Sequence, residues 1–332
     1  MPTKPRKNKP VGAKPDDVGR GLLAQALESD EARLVYADWL EQQGHPFADV
    51  IRLQLADTSA QAVIDRHRLA WITPLGSWVD DPVFERGMLR RVYGKAGAYA
   101  QQATQAALLP AASTFGIHKT HLRGPSKKLG GAATLAWTPE LCWWDCQLDD
   151  AQLAELAGSP HLAQLSSLTL EKVRAGNPGL AALATLSRLR YLALPAPVHL
   201  GNFTASGILE LLDRVPITSL ALTGVNNLDL DTLVASPKVA RLTWLSVATR
   251  HVRAVAASPH LTSLTTLRIS SIDRVADADV EPLLDHPTLT SVYLKLWSPN
   301  QPTKPTPAMI ARLRTRFGEG FTYETSGVPG IV

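Results

Sequence analysis

Cysteine is nearly absent: the 332 residues hold two, Cys142 and Cys146. Four residues apart on one extended strand, they stand about 13 Å from each other, beyond the roughly 4.4–6.8 Å between Cα atoms that a disulfide bridges. A bend after Trp144 would bring them closer, yet two free thiols in a reducing, cytoplasmic setting are the expectation. No run of about 18 uncharged apolar residues occurs, so no membrane-spanning helix is expected. No apolar segment follows the charges at the start of the chain, which argues against a secretory signal. Phosphate loops, dinucleotide turns and nucleophile elbows are also missing. His118 and His121 form a His-x-x-His without the glutamate that zinc hydrolysis needs. The expectation is no enzyme, no metal and no cofactor.

Charge is sparse and uneven. Charged residues make up 19% of the chain and hydrophobic residues 45%, ordinary values for a folded protein. The net charge is +4, and Met1–Pro15 carries Lys4, Arg6, Lys7, Lys9 and Lys14 with no acid. Setting those five aside from +4 leaves −1 for the remainder. Residues 1–17 are therefore expected to be a disordered basic arm, either a solubilising terminus or a contact for nucleic acid or an acidic partner.

What the chain has in quantity is one short aliphatic pattern. It occurs as Leu165/Leu168/Leu170, Leu189/Leu192/Leu194, Ile217/Leu220/Leu222, Leu242/Leu245/Val247, Leu264/Leu267/Ile269 and Leu289/Val292/Leu294, with a ragged copy at Leu141/Trp143. The middle residues, from Leu141 to Val292, recur every 22 to 28 positions. The last two apolar residues of each copy are two apart and so leave a strand on one face, while their neighbours leave on the other. Between copies lie short runs at helical spacing, such as Leu148–Leu156, Leu180–Leu186, Ile208–Leu212, Thr232–Ala235, Val252–Ala257 and Asp279–Leu284. These end in Ser159-Pro160, Ser236-Pro237, Ser258-Pro259 or His286-Pro287, where proline disfavours helix at the residue before it. His161 and His260 recur after such prolines, which points to a turn or packing role.

Pattern and period resemble a leucine-rich repeat. The resemblance implies an α/β solenoid, with parallel strands inside and short helices outside. It departs from the common form where asparagine stands three residues past the last leucine, since those positions hold Val173, Pro197, Val225, Arg250, Ile272 and Trp297. Other groups must therefore satisfy the loop backbone.

Upstream, Ala32-Arg33-Leu34-Val35-Tyr36-Ala37-Asp38-Trp39-Leu40-Glu41, then Gly44-His45-Pro46, then Ile51-Arg52-Leu53-Gln54, resembles the repeat-companion domain that precedes leucine-rich repeats in some bacterial families. The match covers about Leu22 to Ala56, and no reaction is attached to that family. A helix is expected over Glu31–Gln43, capped by Asp30, ended by Gly44 and made amphipathic by Leu34, Val35, Trp39 and Leu40. Another begins near Phe47, and helix continues over Asp57–Pro82, including Trp71 and Trp78. Asp38 and Arg52 are expected within salt-bridge reach, a register lock rather than an acid–base set with Tyr36. Phe84–Val92 reads as an opening strand, followed by a helix over Ala98–Leu109 and a strand near Ile117–Leu122. At the far end, Thr306-Pro307 starts a helix with Met309, Ile310, Leu313 and Phe317 on one face. Gly318 closes it, and Phe321-Thr322-Tyr323 adds a strand.

The expected organisation is a basic arm (1–17), a small helical companion domain (18–80), an N-terminal cap with a first irregular repeat (81–137), the repeats (138–298) and a C-terminal cap helix with tail (299–332). The informative surface is the concave one, formed by the residues that alternate with the leucines. Most are small; the large or charged ones are Trp144, Tyr191, Trp244, Arg268, Tyr293 and Lys295, and most of these are of types enriched at binding hot spots. Cys142 falls in the same rows and carries no catalytic expectation. A protein-binding scaffold is the leading reading, with a structural subunit of a larger assembly and a nucleic-acid adaptor acting through the arm as alternatives.

Overall fold

The computed structural model describes residues 17–26, 28–72, 82–102, 119–126, 129–132, 135–136, 138–195, 203–223, 228–271, 275–296 and 304–325. The chain divides into two units, Met1–Glu140 and Leu141–Val332.

The first unit opens with four helices, α1 (Asp17–Ala26), α2 (Asp30–Gln42), α3 (Phe47–Leu55) and α4 (Gln61–Ile72). The cap of α2 is Ser29, whose hydroxyl accepts from the Ala32 N–H at 3.2 Å. The expected cap, Asp30, is instead drawn into ion pairs with Arg33 and Arg86, and the Arg86 hydrogen bond holds its carboxyl below the usual range. The buried face of α2 is Tyr36, Ala37 and Leu40, while Leu34 and Val35 are 44% and 52% exposed. Of the four apolar positions expected to face inward only Leu40 is buried, because the helical stripe does not say which face α1 and α3, the two helices packed on α2, will cover. Asp38 and Arg52 pair at 2.8 Å, and Glu41 joins them at 2.6 Å. Tyr36 is fully buried and stacks on Trp39 at 5.7 Å, and burial pushes its hydroxyl pKa up, away from proton-transfer chemistry.

Phe84–Val92 is not a single strand. It is an antiparallel hairpin of β1 (Val83–Glu85) and β2 (Met88–Lys95), joined by Arg86 and Gly87 at φ 49° and 73°. Two consecutive positive φ values are what a two-residue hairpin turn with the strand's own twist requires. The sequence hides it, because arginine replaces the asparagine or aspartate usual at the first position. A Cβ on Gly87 would meet Ile51 Cα at 2.6 Å, so glycine is required twice over. Gln54 on α3 fixes the hairpin by accepting from Gly87 N–H at 2.6 Å and donating to Phe84 O at 3.0 Å. Next come α5 (Ala96–Gln102) and β3 (Lys119–Arg123), parallel to β2. Asp57 lies in a turn before α4 with φ 52°, not in helix. The expectations for the basic arm, Trp78, residues 103–109 and His118 lie outside the described residues.

The second unit carries a ladder: β4 (Glu140–Trp144), β5 (Ser167–Leu170), β6 (Tyr191–Ala193), β7 (Ser219–Ala221), β8 (Trp244–Val247), β9 (Thr266–Ser271), β10 (Ser291–Leu296) and β11 (Phe321–Thr325), each beside the next in sequence. Between them run α6 (Asp150–Ala157), α7 (Asn177–Ala182), α8 (Ala205–Arg214), α9 (Leu230–Val234), α10 (Val252–Ala257), α11 (Asp277–Val280) and α12 (Pro307–Phe317), several continued by single 3₁₀ turns. Parallel register aligns Leu168, Leu192, Leu220, Leu245, Leu267 and Val292 in one column. All six are at most 1% exposed. No three-residue strand holds a sheet alone; the column of aliphatics supplies the burial that the backbone pairing needs.

In place of asparagines, two devices join successive repeats and a third holds the turns between them. Thr218, Thr243, Thr265 and Thr290 stand just before their strands, and the hydroxyl of each of the last three donates to the carbonyl of the threonine before it, at 3.3, 3.1 and 3.2 Å. Each of those carbonyls also accepts two backbone N–H groups from the next repeat. At the helix starts, Asp150 accepts from Gly176 N–H and Gly179 N–H at 2.8 Å, Asn177 accepts from Thr204 N–H at 3.0 Å, and Asp277 accepts from Thr306 N–H at 2.7 Å. A polar residue opening one helix thus stitches to the start of the next. At the Ser-Pro stops, Ser159, Ser236 and Ser258 each accept from the N–H two residues on, and His286 does the same through Nδ1 to Thr288.

At the C-terminal end Thr306 caps α12, burying Met309, Ile310, Leu313 and Phe317, and Gly318 ends it at φ 55°. Arg312 pairs with Glu281 at 2.7 Å, and Arg316 donates to Leu284 O and His286 O.

Candidate protein-binding face

Alternation puts a second set of residues on the side of the ladder away from its core. Register forms one row from Ser167, Tyr191, Ser219, Trp244, Thr266 and Ser291, and a second from Thr169, Ala193, Ala221, Ser246, Arg268, Tyr293 and Thr322. Lys295 lies between Ser270 and Glu324 in a third.

Tyr191 and Trp244 sit two strands apart, with Ser219 between them. At roughly 4.8 Å per strand their backbones are nearly 10 Å apart, yet their rings lean together to a 5.6 Å centroid distance at 48°. The serine leaves the space for that lean. On the next two strands, the guanidinium of Arg268 on β9 lies 4.8 Å over the ring of Tyr293 on β10. The Tyr293 hydroxyl donates to the Glu324 carboxylate, and Lys295 Nζ stands 3.7 Å from the same group. Burial and the Glu324 contact both raise the Tyr293 pKa, so its hydroxyl stays a donor. The result is an aromatic pair beside a cation carried on a third ring.

Not every predicted position is open. Cys142 is 4% exposed and Ser246 3%, with Ala193 and Ala221 also buried. A small side chain between larger ones lies below the surface they set, so the middle row offers less room than its residue types suggest. Trp144 stands apart at 41% exposure, at the end of β4. The chain then turns sharply through Asp145 and Gln147, both at positive φ, and Lys172 after β5 shares that conformation. Lys172 pairs with Asp145 at 3.4 Å and Arg174 donates to Gln147 at 2.8 Å. Non-glycine residues held in that region are strained, and sequence reading gave no signal of it.

Cys146 lies past the end of the strand, is buried, and donates from Sγ to Glu171 O at 3.0 Å, and both thiols are free. Burial raises the Cys146 pKa to about 11, so it is a poor nucleophile. His121 packs its ring against Tyr93 at 4.6 Å. Among the described residues no group of three or more His, Cys, Asp or Glu is placed to hold a metal ion, and no helix is long and apolar enough to cross a membrane.

No protein-family model and no curated protein matches the chain. Solved structures similar to it include an internalin, InlF, from Listeria monocytogenes, 20% identical with a TM-score of 0.39, over 69% of this chain and 67% of that one. A Bacteroides fragilis protein is 13% identical with a TM-score of 0.39, over 70% of both chains. These likenesses are too distant to bear on partner or chemistry. The in-register column of aliphatics, with a helix or helical turn returning between parallel strands, is the architecture of a leucine-rich-repeat fold.

Proposed function

We propose that the chain is a non-enzymatic scaffold that grips a protein partner on the open face of its ladder, through Tyr191, Trp244, Arg268 and Tyr293. The observation that carries this reading is the Tyr191–Trp244 pair, whose rings meet over Ser219 on the side facing away from the core. Aromatics and arginine dominate binding energy where they are rigid and partly desolvated, and both conditions are met by ring-on-ring and guanidinium-on-ring packing. Trp144 extends the face at its other end, and Lys295 is set back by its ion pair with Glu324. The segment from Leu22 to Ala56 is read as the companion domain of the array.

The test is partner capture from native lysate, comparing the wild-type chain with a Tyr191→Ala, Trp244→Ala, Arg268→Ala variant of matched thermal stability. Specific partners are expected to disappear from the variant. An unchanged set of captured proteins overturns this use of the face.

A further inference from the structure

Strands β2 and β3 of the first unit set cation against cation, which none of the described strand registers of the second unit does. Parallel pairing sets Arg91 against Lys119, Tyr93 against His121 and Lys95 against Arg123. Val92 and Leu122 from the intervening positions are buried, as are Gly94 and Thr120, so Arg91, Tyr93 and Lys95 share the opposite side with His121 and Arg123. Like charges directly across a strand pair repel and destabilise the sheet. Lys95 and Arg123 are both exposed, and no ion pair among the described residues includes Arg91, Lys95 or Arg123. Arg91 Nε is buried with no hydrogen-bond partner, and its guanidinium reaches 6.0 Å from the Tyr93 ring. Between the cations the Tyr93 and His121 rings lie 4.6 Å apart, tilted by 32°.

We propose that this face, Arg91, Tyr93, Lys95, His121 and Arg123, is a binding site for single-stranded nucleic acid. Cations at both ends of a stretch of about 13 Å, with an aromatic pair midway, match a strand whose phosphates alternate with stackable bases. An acidic peptide would satisfy the cations but has no use for the rings, and a lipid surface would need exposed apolar residues that the five positions lack. Folding against the Lys95–Arg123 repulsion is then repaid when phosphates neutralise it, which is the usual reason a local rule is broken at one place in a sheet. Its five residues belong neither to the open rows of the repeats nor to the basic arm.

The test uses the full-length chain and fluorescein-labelled 20-mers of oligo-dT and oligo-U, read by anisotropy across a salt series. Binding is expected, with a Lys95→Gln, Arg123→Gln variant weakened at least roughly tenfold and its log K versus log salt slope smaller by about 1.4 for two lost phosphate contacts. Its melting temperature is expected to stay level or rise, because a repulsion has been removed. Tyr93→Leu should weaken binding roughly tenfold while leaving that slope unchanged, since stacking releases no counterions. Replacing Lys4, Arg6, Lys7, Lys9 and Lys14 with alanine should leave most of the binding. The proposal fails if the oligonucleotides do not bind, if binding vanishes with the arm cations, if Tyr93→Leu has no effect or heparin competes regardless of Tyr93, or if Lys95→Gln, Arg123→Gln lowers the melting temperature.

Discussion

The two faces of the β5–β10 ladder are made of alternate residues on the same strands, yet one is copied and the other is not. On the core side the column reads leucine five times and valine once. On the open side the matching row reads serine, tyrosine, serine, tryptophan, threonine and serine. Packing explains the first: each residue fills the same slot against its neighbours in a close-packed interior, so a change of one methylene is felt. No such constraint acts on the second. Its departures are free to record what the face meets, and they are large where two rings converge.

The comparison is broken most directly by exchanging costs between the faces. Leu245→Ala should destabilise by about 3–5 kcal/mol in denaturant unfolding, because a cavity opens in a column with no slack. Ser219→Ala, one strand away on the open side, should stay within about 0.5 kcal/mol. If Leu245→Ala costs no more than Ser219→Ala, the column is not the core.

A smaller effect sharpens the core side. The buried Cys146 thiol ionises at about 11 in the folded chain against an ordinary 9.0. As pH rises the unfolded chain therefore loses this proton first, and stability, full below pH 9, declines between pH 9 and 11 by up to roughly 2–3 kcal/mol. Cys146→Ala should flatten that decline, and an equally steep fall in both proteins would remove Cys146 as its source. Smallest is the open face: a Tyr191→Ala, Trp244→Ala double-mutant cycle should give a coupling of about 0.5–1.5 kcal/mol. A coupling of zero would mean that the rings merely lie close.

Legibility followed the kind of force involved. The strand column, the helix over Val252–Ala257, the Thr306 cap, the final strand and the Asp38–Arg52 pair were all readable, because periodicity and capping act over a few residues or repeat along the chain. The threonine rail was within reach: Ile217-Thr218, Leu242-Thr243, Leu264-Thr265 and Leu289-Thr290 repeat in plain view. Its meaning was not, since the acceptor of each hydroxyl lies a whole repeat away. The Arg86-Gly87 hairpin was missed because its turn uses an atypical residue, and the exposure of Leu34 and Val35 because helical periodicity fixes a stripe without fixing which neighbour covers it. Burial of Cys142 and Ser246 depended on side chains one strand over.

By itself the sequence determined that aliphatic triplets would stack into a parallel ladder, because that outcome needs only a period of two within each strand and a near-constant distance between copies. Register was left to the tertiary structure. Which serine stands between Tyr191 and Trp244, which carbonyl receives Thr265, and that Lys95 faces Arg123 are set by how one strand slides against the next, a choice made by the packing of all the layers together and written in no single segment.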